Sequence, residues 1–178
     1  MGKKAFTVIE LIMVIAIVGI LSVSGAWLMV YFVQDSVYIP NQLNTDMAAN
    51  EALKIMVEGD TIAKGLRFSQ KVNAIASNNN FTFTNQDGQS INYMLDTGTS
   101  RLYRSINAGA QTQIPYYPGV NILGQDGALF TYYDANEVVT DVPVNVRRIV
   151  INLIASTGSG AFTDWQGKST QSASIVVH

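Results

Sequence analysis

The chain has 178 residues, 11 basic and 13 acidic side chains, one histidine and no cysteine. A disulfide framework and thiolate chemistry are therefore excluded. The slightly acidic balance gives no basic patch for direct nucleic-acid binding, and a charged fraction of 13% is about half the usual quarter.

The deficit has one main source. Residues Phe6 to Val33 read FTVIELIMVIAIVGILSVSGAWLMVYFV, and Glu10 is the only charge among them. From Leu11 to Gln34 the sole ionisable group is the phenol of Tyr31. That is about 24 residues, or about 36 Å of helix, where a bilayer core needs about 20. Lys3 and Lys4 precede the run and Asp35 follows it, so the positive-inside bias places the N-terminus in the cytoplasm and the later chain outside. A cleaved secretory signal would have a shorter apolar core. Ser22, Ser24, Gly25 and Ala26 imitate a cleavage site, but Trp27 to Val33 is apolar again. A plain anchor has no need of Glu10. A carboxylate at membrane depth points to function and requires a cation as partner.

The helix is expected to continue as an amphipathic second half over residues 34–76. Leu43, Met47, Leu53, Met56, Val57, Ile62, Leu66, Val72 and Ile75 form its apolar stripe. Pro40 should kink or interrupt it, and Gly59-Asp60 and Gly65 should weaken it again. From residue 77 the pattern becomes β-rich. Phe81–Thr84, Ser90–Leu95 and Arg101–Ile106 read as an antiparallel meander joined by Asp-Gly and Gly-containing turns. Residues 107–118 read as loop and Ala128–Tyr133 as a strand. Residues 134–145 read as a second loop, Val146–Ile154 as a strong strand and Ser172–Val177 as a last short one. The fold class expected is α+β, a long N-terminal helix packed against an antiparallel sheet.

The order Lys3-Lys4-Ala5-Phe6-Thr7-Val8-Ile9-Glu10-Leu11 resembles the N-terminus of the type IV pilin and pseudopilin family. The resemblance implies a leader of residues 1–5, cut by a prepilin peptidase between Ala5 and Phe6, with N-methylation of Phe6. Glu10 would then be the fifth mature residue and would pair with the Phe6 amine of a neighbouring subunit. A low dielectric strengthens such a pair and penalises an unpaired member. Residues 6–33 would span the membrane first and line a filament core later. Ala5 stands where the family usually has Gly, and Trp27 where major pilins often have Pro. Further along, Gly65-Leu66-Arg67-Phe68, Gly119-Val120, Phe130-Thr131-Tyr132-Tyr133 and Val146–Ile151 are similar to the J-type minor pseudopilin of type II secretion and the W-type minor pilin. The partners implied are other pilin or pseudopilin subunits, the prepilin peptidase, an inner-membrane assembly platform and the membrane, with no direct nucleic-acid contact.

No catalytic constellation stands out. The single histidine is His178, and Asp87, Asp96, Asp126, Asp134, Glu137, Asp141 and Asp164 fall in turns and loops, where Asp serves turn chemistry. A non-enzymatic role is expected, with no cofactor. Calcium is the one ion that loop oxygens would suit, but no spacing matches an EF-hand loop. The alternative function is a membrane-anchored extracytoplasmic binding domain that forms no filament.

Overall fold

A computed structural model describes residues 7–157 and 166–177. The protein is α+β: one long apolar N-terminal helix and antiparallel sheets. Helix α1 runs Val8–Val57. By contacts the chain forms two units, Met1–Ile39 and Pro40–His178.

In the first unit, α1 has no core of its own. From Val8 to Val33 its large apolar side chains are 47–76% exposed. In the second unit the last turns of α1 bury Thr45, Ala48, Ala49, Ala52 and Met56. This matches the expected stripe only in part. Met56, Leu66 and Val72 are buried and Leu53, Val57 and Ile75 pack against the core, but Leu43, Met47 and Ile62 are exposed, and from Thr45 to Ala52 the buried face is built of small residues. Thr45 lies two positions from both Leu43 and Met47, about 200° around the helix, so the large side chains point away from the sheet. Alanine lets the helix backbone come close. Gly167 completes the fit, since a Cβ there would lie 2.5 Å from Asn41 O and 2.6 Å from Thr45 Oγ1.

Two further features of residues 34–76 differ from the expectation. The helix is not interrupted at Pro40, which sits inside α1. The proline's cost is one missing hydrogen bond, and α1 tolerates that. The helix does stop at Val57, nineteen residues before the expected end at 76, because Gly59 adopts φ +92°. A Cβ on Gly59 would meet Ala63 O at 2.2 Å, so the chain turns back on itself here. Gly59 N–H donates to Ile55 O at 3.0 Å and Gly65 N–H to Glu58 O at 3.0 Å. A 3-10 turn, Leu66–Phe68, leads into β1, Ser69–Ser77, where helix was expected.

The strands that follow are β2 Asn80–Asn85, β3 Ser90–Asp96, β4 Arg101–Ile106, β5 Thr112–Gln113, β6 Val120–Gly124, β7 Phe130–Tyr133, β8 Arg148–Thr157 and β9 Lys168–Val176. The first five form one antiparallel sheet in chain order. The second sheet centres on β8, with β6 and β7 sharing one side and β9 on the other. Period-two burial puts Phe81, Phe83, Ile91, Tyr93 and Leu95 of the first sheet and Phe130, Tyr132, Ile149, Ile151 and Leu153 of the second inside. Phe81 joins the two sets. Its ring lies 4.6 Å from Phe130, edge-on, and 5.7 Å from Tyr132.

Candidate functional site

The residues singled out by the sequence lie at the start of α1. Ala5 and Phe6 fall outside the described residues, so the cleavage point has no geometry here. Glu10 is described, and it folds back on its own helix. Its Oε2 accepts from Thr7 N–H at 2.9 Å and from Thr7 Oγ1 at 2.9 Å, while Glu10 N–H donates to Thr7 Oγ1 at 3.3 Å. This is a capping box, in which the first and fourth residues satisfy each other's orphan backbone donors. The signal was present in the spacing Thr7-x-x-Glu10, and the reading of Glu10 as an acid in search of a cation passed over it.

Between this cap and Val33, α1 offers its surroundings almost nothing polar. Ser22 Oγ donates to Val18 O at 2.7 Å and Ser24 Oγ to Ile20 O at 3.0 Å. Both hydroxyls are thereby satisfied within the helix, as an apolar medium demands. Trp27 and Tyr31, one turn apart, have ring centroids 6.0 Å apart. Such amphipathic rings favour a membrane–water boundary. By length and composition α1 could cross a membrane.

In the second unit the polar geometry gathers where α1 ends. Arg104 on β4 is 4% exposed, and its Nη2 donates to Asp60 Oδ2 at 2.8 Å. Asp60 Oδ1 accepts from the N–H groups of Ile62 and Ala63 at 2.9 and 3.1 Å. Burial works to raise the Asp60 pKa, but the Arg104 guanidinium and these two N–H groups outweigh it and hold the carboxyl below its ordinary value. Tyr93 pairs with Arg104 across β3 and β4, and its hydroxyl donates to Ile55 O at 3.1 Å. Burial pushes that phenol well above its ordinary range. The cluster ties the helix end, the reversal at Gly59 and the first sheet together. Nothing in its sequence spacing announced it.

Of the other loop acids four have local partners, and Asp164, like His178, lies outside the described residues. Asp87 pairs with Lys64 at 3.0 Å. Asp96 accepts from Gly98 N–H and the Thr99 hydroxyl, and Asp134 from the N–H groups of Asn136 and Val138. Glu137 binds Arg148, whose guanidinium also lies 4.1 Å from the Tyr133 ring centroid. Among the described residues, no three acidic or imidazole groups converge as metal ligands would. Of the adjacent tyrosines 116–117 and 132–133, Tyr116 is exposed and Tyr132 buried, while the Tyr117 hydroxyl donates to Glu51 at 2.7 Å.

Searches of family models, curated proteins and solved structures find no match to this chain.

Proposed function

We infer that the chain is a structural subunit, of the minor kind, in a type IV pilus or type II secretion pseudopilus. The observation that supports this best is the order of residues at its N-terminus. Lys3 and Lys4, a small residue, Phe6, Thr7 and Glu10 stand directly ahead of a long uncharged helix. Cutting between Ala5 and Phe6 creates a cationic amine at a depth where no other cation is tolerated. The helix is first held in the inner membrane, N-terminus cytoplasmic and outer domain extracytoplasmic. An assembly platform then draws it among the helices of other subunits. One apolar surface serves lipid and helix bundle alike, so Glu10 is the group that tells them apart. It can leave Thr7 for the Phe6 amine of a neighbour, exchanging a neutral hydroxyl for a charge-assisted partner.

The test is the intact mass of the membrane-bound protein. Loss of residues 1–5 together with one added methyl group supports processing by a prepilin peptidase. An uncut chain would overturn the reading. It would favour a membrane-anchored extracytoplasmic domain, in which the capping box is all that Glu10 is for. The contacts with Thr7 give that second reading its footing.

A further inference from the structure

The second sheet ends in two dissimilar ways. One end is β9, which pairs with β8 at nine consecutive positions, from Arg148↔Val176 to Ser156↔Lys168, without a register shift. Among the described residues no strand lies on its other side. Thr157 N–H donates to Gly167 O, and Val177 N–H to Arg147 O. Odd-numbered residues of β9 therefore turn their backbone groups toward β8, and even-numbered ones turn theirs outward. Lys168 is the first of the outward set, and the Gln42 side chain covers it. Gln42 Oε1 accepts its N–H at 3.1 Å and Nε2 donates to its C=O at 3.2 Å. Thr170, Ser172, Ser174 and Val176 follow without such a hydrogen-bonded cover, along about 20 Å of edge, with the Leu66–Phe68 turn packed near its far end.

Sheet edges in natural proteins are usually blunted by charge, proline, bulges or shortness. The first sheet obeys: β1 carries three register shifts and β5 is two residues long. Past Lys168, β9 has no charge, no proline and no glycine. An edge so regular, with its outward backbone groups unpaired past Lys168, has the geometry to receive a strand.

The other end of the sheet carries a segment of matching chemistry. Outside β7 runs a strap, residues 137–142, reading Glu-Val-Val-Thr-Asp-Val. Tyr133 bridges antiparallel to Val139, Asp134 N–H donates to Val138 O at 2.9 Å and Thr140 N–H to Tyr132 O at 3.0 Å. Val138, Val139 and Val142 are 59%, 65% and 44% exposed. Glu137 turns the chain at φ +61°, and after it residues 138–142 run beside β7, rich in β-branched residues and apolar on their surface. Charge also matches. At the far end of β9, Arg67 lines an open groove of about 420 Å³ with Val57, Ser174, Ile175 and Val176. Arg67 and Asp141 are exposed, and neither has an ion-pair partner among the described residues.

We propose that the 137–142 strap of one copy adds to the β9 edge of a second copy, extending the sheet from copy to copy. Main-chain hydrogen bonds supply affinity, and Asp141 facing Arg67 supplies register. The contact joins two different surfaces, so it repeats from copy to copy, in a ring or an open array, instead of closing a pair. The inference uses the second unit alone and stands whether or not the N-terminal helix is processed.

The absence of cysteine makes the test clean. The full chain carrying Val139→Cys and Ser174→Cys, treated in membranes with a short bis-maleimide, should give a ladder of dimers, trimers and larger species on a denaturing gel. Adding Ser172→Pro removes one outward N–H and leaves the bonds to β8, and should cut the ladder at least tenfold. Should Ser172→Pro also lower the melting temperature, the charge pair decides instead. Asp141→Arg should weaken the ladder and Arg67→Asp in the same chain should restore it. No ladder from the double-cysteine chain, or one unmoved by both Ser172→Pro and Asp141→Arg, overturns the proposal. Dimers from Ser174→Cys alone, as abundant as the ladder, would mean that β9 meets β9 and that the strap is the wrong occupant.

Discussion

Glu10 Oε2 accepts two hydrogen bonds from Thr7, one from its backbone N–H and one from its hydroxyl, both at 2.9 Å. The carboxylate thus has a role within its own helix as well as the assembly role proposed for it, and chemistry can separate the two. Glutamine serves in a capping box as glutamate does, but it carries no charge for a neighbour's amine.

Glu10→Gln should therefore leave helicity and membrane insertion near wild type while filament incorporation falls at least tenfold. Thr7→Ala should do the reverse. It removes a cap worth about 1 kcal/mol and leaves the charge, so helix content at the N-terminus drops slightly while incorporation persists. Amide hydrogen exchange over residues 8–12 reads the cap, and the amount of subunit in sheared filaments reads assembly. Equal loss of both readouts in both variants would show that Glu10 acts through its cap alone.

The Asp60–Arg104 pair should make the second unit acid-sensitive. The Asp60 pKa is lowered in the folded protein, so the pair's stabilisation is fully present above the unfolded value, near 3.9. It is lost as pH falls through the lower folded value. Melting temperatures should hold from neutrality to about pH 5 and fall below about pH 4. Asp60→Asn should flatten that fall. It should also cost about 3 kcal/mol at neutral pH, since removing one partner strands a buried guanidinium. The low end of the usual range applies because the Asp60 side chain keeps 28% exposure. A melting profile with the same acid limb in both proteins would remove Asp60 from the account.

The strands were legible because their periodicity matched their surroundings. In β2, β3 and β8, alternate side chains face one core, and Phe81, Tyr93 and Ile151 are buried there. Two things were hidden. From Thr45 to Ala52 the buried face of α1 is built of small residues, so Leu43 and Met47 suggested the wrong side there, whereas Met56 is buried as expected. Strand β1, reading SQKVNAIAS, has a composition that suits a helix, and its pairing with β2 is a tertiary choice that local propensity does not record. The Thr7–Glu10 cap was legible, whereas Asp60–Arg104 spans 44 positions and leaves no local trace.

Phe81 should be the most costly single truncation in the core. It is 1% exposed and touches rings from both sheets, with Phe83 and Tyr93 on one side and Phe130 and Tyr132 on the other. Phe81→Ala removes the buried ring and its edge-on contacts, for a loss of about 3–5 kcal/mol. Phe81→Leu, which keeps most of the volume, should lose much less. Chemical denaturation of the two variants gives the comparison. Equal midpoints would mean that the sheets are held together elsewhere.

Gly59 decides where the helix ends, and its replacement tests that directly. Its φ of +92° is one that side chains rarely adopt, and strain of this type costs about 1–2 kcal/mol. Space adds to the cost. A Cβ would lie 2.2 Å from Ala63 O, 2.5 Å from Gly65 N and 2.7 Å from Lys64 Cα, all backbone atoms that cannot swing aside. Gly59→Ala must then either open the reversal or straighten it into helix. Opening it pulls Asp60 away from Arg104, because Asp60 is the next residue and Ala63 closes the same turn. The expected loss is at least about 2 kcal/mol, or roughly 4–8 °C in melting temperature for a chain of this size. The acid sensitivity described above should weaken in parallel. Gly88→Ala makes the control. It has the same kind of φ, +76°, with nothing within 4 Å of its Cβ, so it should lose only the strain term and keep the acid limb. If both alanine variants lost the same stability and the same acid response, the close packing at Gly59 would contribute nothing, and the helix stop would rest on backbone angle alone.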